Sequence, residues 1–148
     1  MLSLWCSFLQ KYFVMALLTI SIDTDFEEFW RYNLVVMASI KRDGEQVELL
    51  KYKSEIAPVG AELTAKPSNY PEDRGVRLKC EAGDALTLYI YVIPHTLPSD
   101  KYVRFAPPYE LSVRVKRGNS NIYSHRHMIN QWSGENLIVD INTPTPKE

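Results

Sequence analysis

His125 and His127 stand two residues apart in Ser124-His125-Arg126-His127. On an extended strand that spacing turns both imidazoles to one face, where two of them can share a metal ion. A zinc or iron site needs a third ligand, and His95, Asp23 and Asp25 are the candidates. Without it, the pair reads as two imidazoles on a solvated strand face beside Arg126. Ser124 adjoins His125, yet strand neighbours point to opposite faces, so the two cannot form a nucleophile–base pair. The chain has no Gly-x-Ser-x-Gly elbow, no phosphate-cradling glycine loop and no zinc-type cysteine pairing. We therefore expect a protein that is not an enzyme and carries no cofactor, with His125 and His127 as the candidate metal residues.

Two partial resemblances define what is missing. Cupins, a jelly-roll family, set a His-x-His between an upstream glycine and a glutamate a few residues on. Here Gly118 lies seven residues before His125 and Glu135 eight after His127, and the second cupin motif has no counterpart. The run Asp23-Thr24-Asp25 with Glu27 and Glu28 resembles calcium loops of C2-type sandwich modules. Calcium takes about six to eight oxygens, whereas the loops around Asp43 and Asp100 offer one acid each. A helix start that favours acids accounts for the same run.

Binding residues are sought among the aromatics. Tyr89, Tyr91, Tyr123 and Trp132 are the candidates, since tyrosine and tryptophan stack on sugar rings and are enriched at protein interfaces. Asn130-Gln131-Trp132-Ser133-Gly134 adds side-chain amides to an aromatic. Arg77, Lys79, Arg114, Lys116, Arg117 and Arg126 occupy expected outward positions and could form a basic stripe able to contact a phosphate backbone. The alternative is a solvated face balanced by acids. With 17 basic and 18 acidic residues and a formal net charge of -1, no overall field favours nucleic acid.

The elements that must position these residues show in the alternation of apolar and polar side chains. Val76-Arg77-Leu78-Lys79-Cys80-Glu81, Leu111-Ser112-Val113-Arg114-Val115-Lys116 and Leu18-Thr19-Ile20-Ser21-Ile22 all change every residue. A period of two marks strands with one buried and one wet face. The strands expected are 16–22, 31–40, 46–53, 75–81, 85–93, 109–117, 120–128 and 136–142. Arg42-Asp43-Gly44 and Gly118-Asn119 are hairpin signals, Ala82-Gly83-Asp84 joins the fourth and fifth strands tightly, and Ser133-Gly134 leads into the last. Strands so closely linked are expected to run antiparallel. The proline-bearing stretches 54–74 and 94–108 read as long connections between sheets. A single helical turn, capped by Asp23 or Thr24, is expected in Asp23–Trp30.

The strand Leu86–Ile93 breaks the rule by being apolar on both sides. Leu86, Leu88, Ile90 and Val92 form one face, and Tyr89, Tyr91 and Ile93 the other. Such a strand is either central and covered twice, which is the reading preferred, or shows its tyrosines to a partner.

The chain's 148 residues suit one all-β domain: an antiparallel two-sheet β-sandwich of about eight strands, Greek-key or jelly-roll or C2-like. The domain is expected over 15–142, after an apolar extension 1–14 (Met15 being an alternative start) and before a disordered tail 143–148. Gln10 and Lys11 interrupt the first apolar run, which argues against a secretion signal and excludes an integral membrane span there. Cys80 is expected to be a buried hydrophobe, a bridge to Cys6 being the alternative. The motifs identify no family. The function expected is a non-enzymatic module acting through protein–protein contacts, as an adaptor or a structural part of an assembly. Its partner would be a protein or a second copy, carbohydrate being the alternative and nucleic acid being excluded. A cytoplasmic location is expected, with a secreted or periplasmic one left open.

Overall fold

The computed structural model describes residues 17–71, 75–81 and 83–143. The expected extension 1–14, the alternative start at Met15, Cys6 and residues 144–148 lie outside them. Eight strands follow in order: β1 (Leu17–Asp23), β2 (Tyr32–Arg42), β3 (Glu45–Ser54), β4 (Val76–Glu81), β5 (Ala85–Pro94), β6 (Tyr109–Arg117), β7 (Ser120–Ile129) and β8 (Glu135–Asn142). Each boundary falls within two residues of its expected place. All pairings are antiparallel. They build two four-stranded sheets, a first in the order β4-β1-β6-β7 and a second in the order β3-β2-β5-β8.

The alternation dictates the interior. Leu18, Ile20 and Ile22 of β1 and Leu111, Val113 and Val115 of β6 point inward from the first sheet, and all are buried. Leu34, Val36, Ala38 and Ile40 of β2 meet them from the second sheet, with Leu86, Leu88, Ile90 and Val92 of β5. Burying each large aliphatic side chain contributes about 1.5–3 kcal/mol, and β-branched residues suit the pleat. Cys80 belongs to this core, and desolvation pushes its thiol up to about 12, so it is inert as a nucleophile.

The expected hairpins at Asp43-Gly44 and Gly118-Asn119 join β2 to β3 and β6 to β7. Asp43 and Gly44 have φ of 52° and 80°, as a tight hairpin turn requires. The two other short links do not join paired strands. β4 pairs with β1 while β5 pairs with β2 and β8, so the link at 82–84 is a corner between sheets. The β7–β8 link is likewise a corner, closed by the bridge of Asn130 to Gly134 and by the Trp132 and Ser133 amides donating to the Asn130 side chain. Close backbone contact makes both corners possible. A Cβ on Gly83 would stand 2.1 Å from the Lys41 carbonyl oxygen, and one on Gly134 2.0 Å from that of Val92. The long stretches after β3 and β5 do pass from the second sheet to the first.

Further expectations are corrected. The helical turn is a 3-10 turn at Phe29–Arg31. Thr24 serves an earlier turn instead, where its hydroxyl accepts from the Phe26 amide and donates to the Glu110 carbonyl. Thr143 is not loose tail: it is buried, its amide donating to the Asp84 carbonyl and its hydroxyl to that of Gly83. β5 is central in its sheet, yet Tyr89, Tyr91 and Ile93 are only half-buried, so the strand is not enclosed on both sides. Among the described residues no helix is long and apolar enough to cross a membrane.

Gly83→Ala must displace backbone rather than a flexible side chain, so it is expected to cost about 1–3 kcal/mol or more. Urea unfolding followed by tryptophan fluorescence measures this, with Gly44→Ala as a comparison that carries only the strain of a positive φ, since a Cβ there meets nothing.

Candidate functional site

His125 and His127 do share a face, their rings 4.5 Å apart at 71°. That face is not the solvated outer one expected. They pair with Val113 and Leu111, whose side chains point into the sandwich, so both histidines lie on the inner side of β7. β7 is an edge strand, which leaves His125 exposed and His127 half-buried at the rim. Tyr123 joins them from the same side, its hydroxyl 3.0 Å from His127 Nε2. Desolvation first, and the neighbouring His125 second, lower the His127 pKa. Among the described residues no group of three His, Cys, Asp or Glu side chains is placed to hold a metal.

Two of the suggested third ligands, His95 and Asp23, are committed elsewhere, and Asp25 is exposed in the loop after β1. His95 is 2% exposed. Its Nε2–H donates to the Trp30 carbonyl at 2.7 Å, and its Nδ1 accepts from the Thr96 hydroxyl at 2.8 Å. The Trp30 carbonyl can only accept, which places the neutral ring's proton on Nε2, and the Thr96 hydroxyl accepts in turn from the Leu63 amide. Asp23 meets Arg77 at 3.0 Å and Arg114 at 3.7 Å, so two guanidinium groups hold the carboxylate suggested for calcium.

His95 belongs to a buried polar cluster that sequence reasoning missed. Arg31, 2% exposed, donates to Gln131 Oε1 at 2.5 Å and to the Thr96 carbonyl at 3.4 Å. Its guanidinium lies 5.4 Å from the Tyr32 ring centre and 5.6 Å from that of Phe26. Gln131 donates onward to the Pro107 carbonyl, and Tyr32 donates to the Gln131 carbonyl. The cluster ties the 3-10 turn, the β5–β6 connection and the β7–β8 corner together. Arg31 also meets Glu28 at 3.6 Å, while its Nε has no partner, so removing Gln131 or Glu28 would leave a buried charge less compensated. The signal of Arg31 was faint: an Arg beside Trp30 and Tyr32 reads as an ordinary outward position.

The aromatic candidates are not brought together. Tyr89 and Tyr91 sit on the outer face of the second sheet, Tyr123 on the inner side of β7, and Trp132 in the β7–β8 corner. Trp132 is half-buried and its indole nitrogen is enclosed without a hydrogen-bond partner.

Tyr89 and Tyr91 instead have companions that were not singled out. Register places Lys51, Met37, Tyr89 and Ile138 in one cross-strand row and Lys53, Val35, Tyr91 and Asn136 in the next. Ile93 follows on β5 beside Asn33, and Ser39 and Leu49 flank the other end. Ile138 is 66% exposed and Leu49 41%. The signal was present in Leu34-Val35-Val36-Met37 and Leu137-Ile138-Val139, which are apolar on both faces as Leu86–Ile93 is.

The basic stripe forms on the outer face of the first sheet. Lys79 and Lys116 flank Thr19, and Arg77 and Arg114 flank Ser21. Ser112 and Arg126 pair in the row of Asp23. Arg117 is not part of it: it pairs with inward-facing Leu18, and its guanidinium donates to the Thr143 carbonyl across the end of the sandwich.

No protein-family model matches the chain, and no curated protein matches it. Among solved structures, a DUF4425 family protein from Bacteroides ovatus ATCC 8483 is similar over 90% of this chain and 99% of its own, with 10% identity and a TM-score of 0.42.

Burial lowers the His95 pKa, so the folded state keeps the ring neutral while the unfolded chain takes up a proton near pH 6.5. The stabilisation is complete above about pH 6.5 and is lost as pH falls from there toward the lower folded value. Melting temperatures recorded from pH 7.5 to 5 should therefore fall, and fall less in His95→Gln, with His127 supplying a residual slope.

Proposed function

We propose that the protein is a non-enzymatic binding module that works through protein–protein contacts made by the outer face of the second sheet. One observation carries this reading. Val35, Met37, Tyr89, Tyr91, Ile93 and Ile138 form a continuous apolar centre, rimmed by Lys51 and Lys53 on β3 and by Asn136 and Asp140 on β8. An apolar, aromatic-bearing centre within a polar rim is the anatomy of an interface, and tyrosine is a frequent energetic anchor there. A solvated sheet face would alternate to polar residues at these positions, as the first sheet does with Thr19, Ser21, Ser112 and Ser124.

A second copy of the chain suits this face. Cations lie along the β3 edge and Asp140 along the β8 edge, so a two-fold face-to-face arrangement brings unlike charges together. The same face accepts a different protein with an apolar patch and the same charge order.

Sedimentation equilibrium over a wide concentration range tests the reading. The expected result is reversible self-association that Ile138→Lys and Tyr89→Lys abolish without lowering the melting temperature, since both residues lie outside the core. A chain that stays strictly monomeric and takes no protein partner onto this face overturns it.

A further inference from the structure

The opposite side of the sandwich has a different chemistry. We propose that the outer face of the first sheet binds an anionic glycan, a saccharide chain bearing carboxylate or sulfate groups, laid along β1. The proposal concerns a separate face and does not rest on the protein contacts above.

Its basis is the cross-strand register. Lys79–Thr19–Lys116 and Arg77–Ser21–Arg114 are successive rows on β4, β1 and β6. Long cations thus stand on both sides of a central strand whose outward side chains in these two rows are the short hydroxyls of Thr19 and Ser21, which makes a trough bounded by Leu17 at one end and Asp23 at the other. Its walls are two strand spacings apart, about 10 Å, and its cations recur every second residue, about 7 Å along the strand. All four cations are exposed. Among the described residues Lys79 and Lys116 have no ion pair, while Asp23 holds Arg77 and Arg114 from one end of the trough. Arg126, on the next row, meets Glu110 at 3.6 Å.

At that end the trough opens into a groove of about 550 Å³ whose lining includes Asp25, Glu110, Ser112, Arg114, Ser124 and Arg126. Guanidinium groups recognise carboxylate or sulfate through paired N–H donors. Three carboxylates line the groove, Asp23 being held by Arg77 and Arg114, and the serine hydroxyls with Asp25 and Glu110 can exchange hydrogen bonds with sugar hydroxyls. Cations for acid groups and mixed polar groups for hydroxyls together match a charged saccharide.

Other polyanions fit less well. Single-stranded nucleic acid needs aromatic platforms for its bases; the rows across β1 carry none, and Phe26 and Tyr109 at the groove are stacked on each other at 4.2 Å and packed into the core. An acidic peptide gains its main-chain hydrogen bonds at a strand edge, whereas the backbone of β1 and β6 is paired on both sides.

Affinity electrophoresis and titration calorimetry of the full chain test the proposal. Polygalacturonate supplies the carboxylate arm, heparin fragments the sulfate arm, and dextran, polyglutamate and oligothymidylate serve as controls. The expected result is binding to one or both anionic glycans, weakened by salt, with no binding to dextran and weaker binding to the other two polyanions. Arg114→Ser should lower affinity about tenfold, as should the paired change Lys79→Gln with Lys116→Gln. The lysine pair is exposed and unpaired, so its melting temperature should match that of the parent chain. Absence of binding to either glycan at low salt overturns the proposal. So does equal affinity for polyglutamate or oligothymidylate, or unchanged affinity in both variants.

Discussion

Neither sheet can exist without the other, because each presents one unbroken apolar face that water would otherwise cover. Leu18, Ile20 and Ile22 on one side and Val36, Ala38 and Ile40 on the other are excluded from solvent only by facing each other. Everything else in the molecule follows from keeping those faces in contact. Five of the seven connections between successive strands change sheets, and only β2–β3 and β6–β7 are hairpins. The corners must therefore be tight where the chain is short, and the glycine at 83 and the one at 134 let backbone approach backbone there. One end of the sandwich is sealed by the Arg31 cluster, where a charge is kept out of water by carbonyl, amide and aromatic partners.

This economy leaves three surfaces of distinct chemistry. The outer face of the second sheet is apolar at its centre, that of the first is cationic with hydroxyls between, and the β7 rim carries Tyr123, His125 and His127. The two outer faces are separated by the thickness of the interior, about 10 Å between sheet planes, and no strand contributes a side chain to one face without its neighbours turning inward. The two outer faces are thus coded differently, one apolar and one cationic. That property follows from the pleat itself.

The limits of reading the chain alone are physical. His125 and His127 were correctly paired on one side of β7 by their spacing. Which side could not be read, since Tyr123-Ser124-His125-Arg126-His127-Met128 is polar on both and only the partner residues Val113 and Leu111 decide it. The tyrosines of β5 were legible as a second apolar face, but their companions Met37 and Ile138 come from strands about 50 residues away on either side. A still greater distance in sequence hid the Arg31–Gln131 contact, whose partners are 100 residues apart.

Side-chain alternation by itself determined that the chain is all-β, where its eight strands run and, outside β7, which side of the alternating strands turns inward, because the pleat makes burial a property of odd or even position. Net charge and the missing nucleophile and cysteine motifs were also read without any fold. Tertiary structure alone decided which strands are neighbours. A three-residue link permits either a hairpin or a corner, and the outcome at 82–84 turned on backbone contact with Lys41. It alone assembled the apolar face of the second sheet and the cationic rows of the first, since a surface is a sum over strands and each strand holds only one line of it.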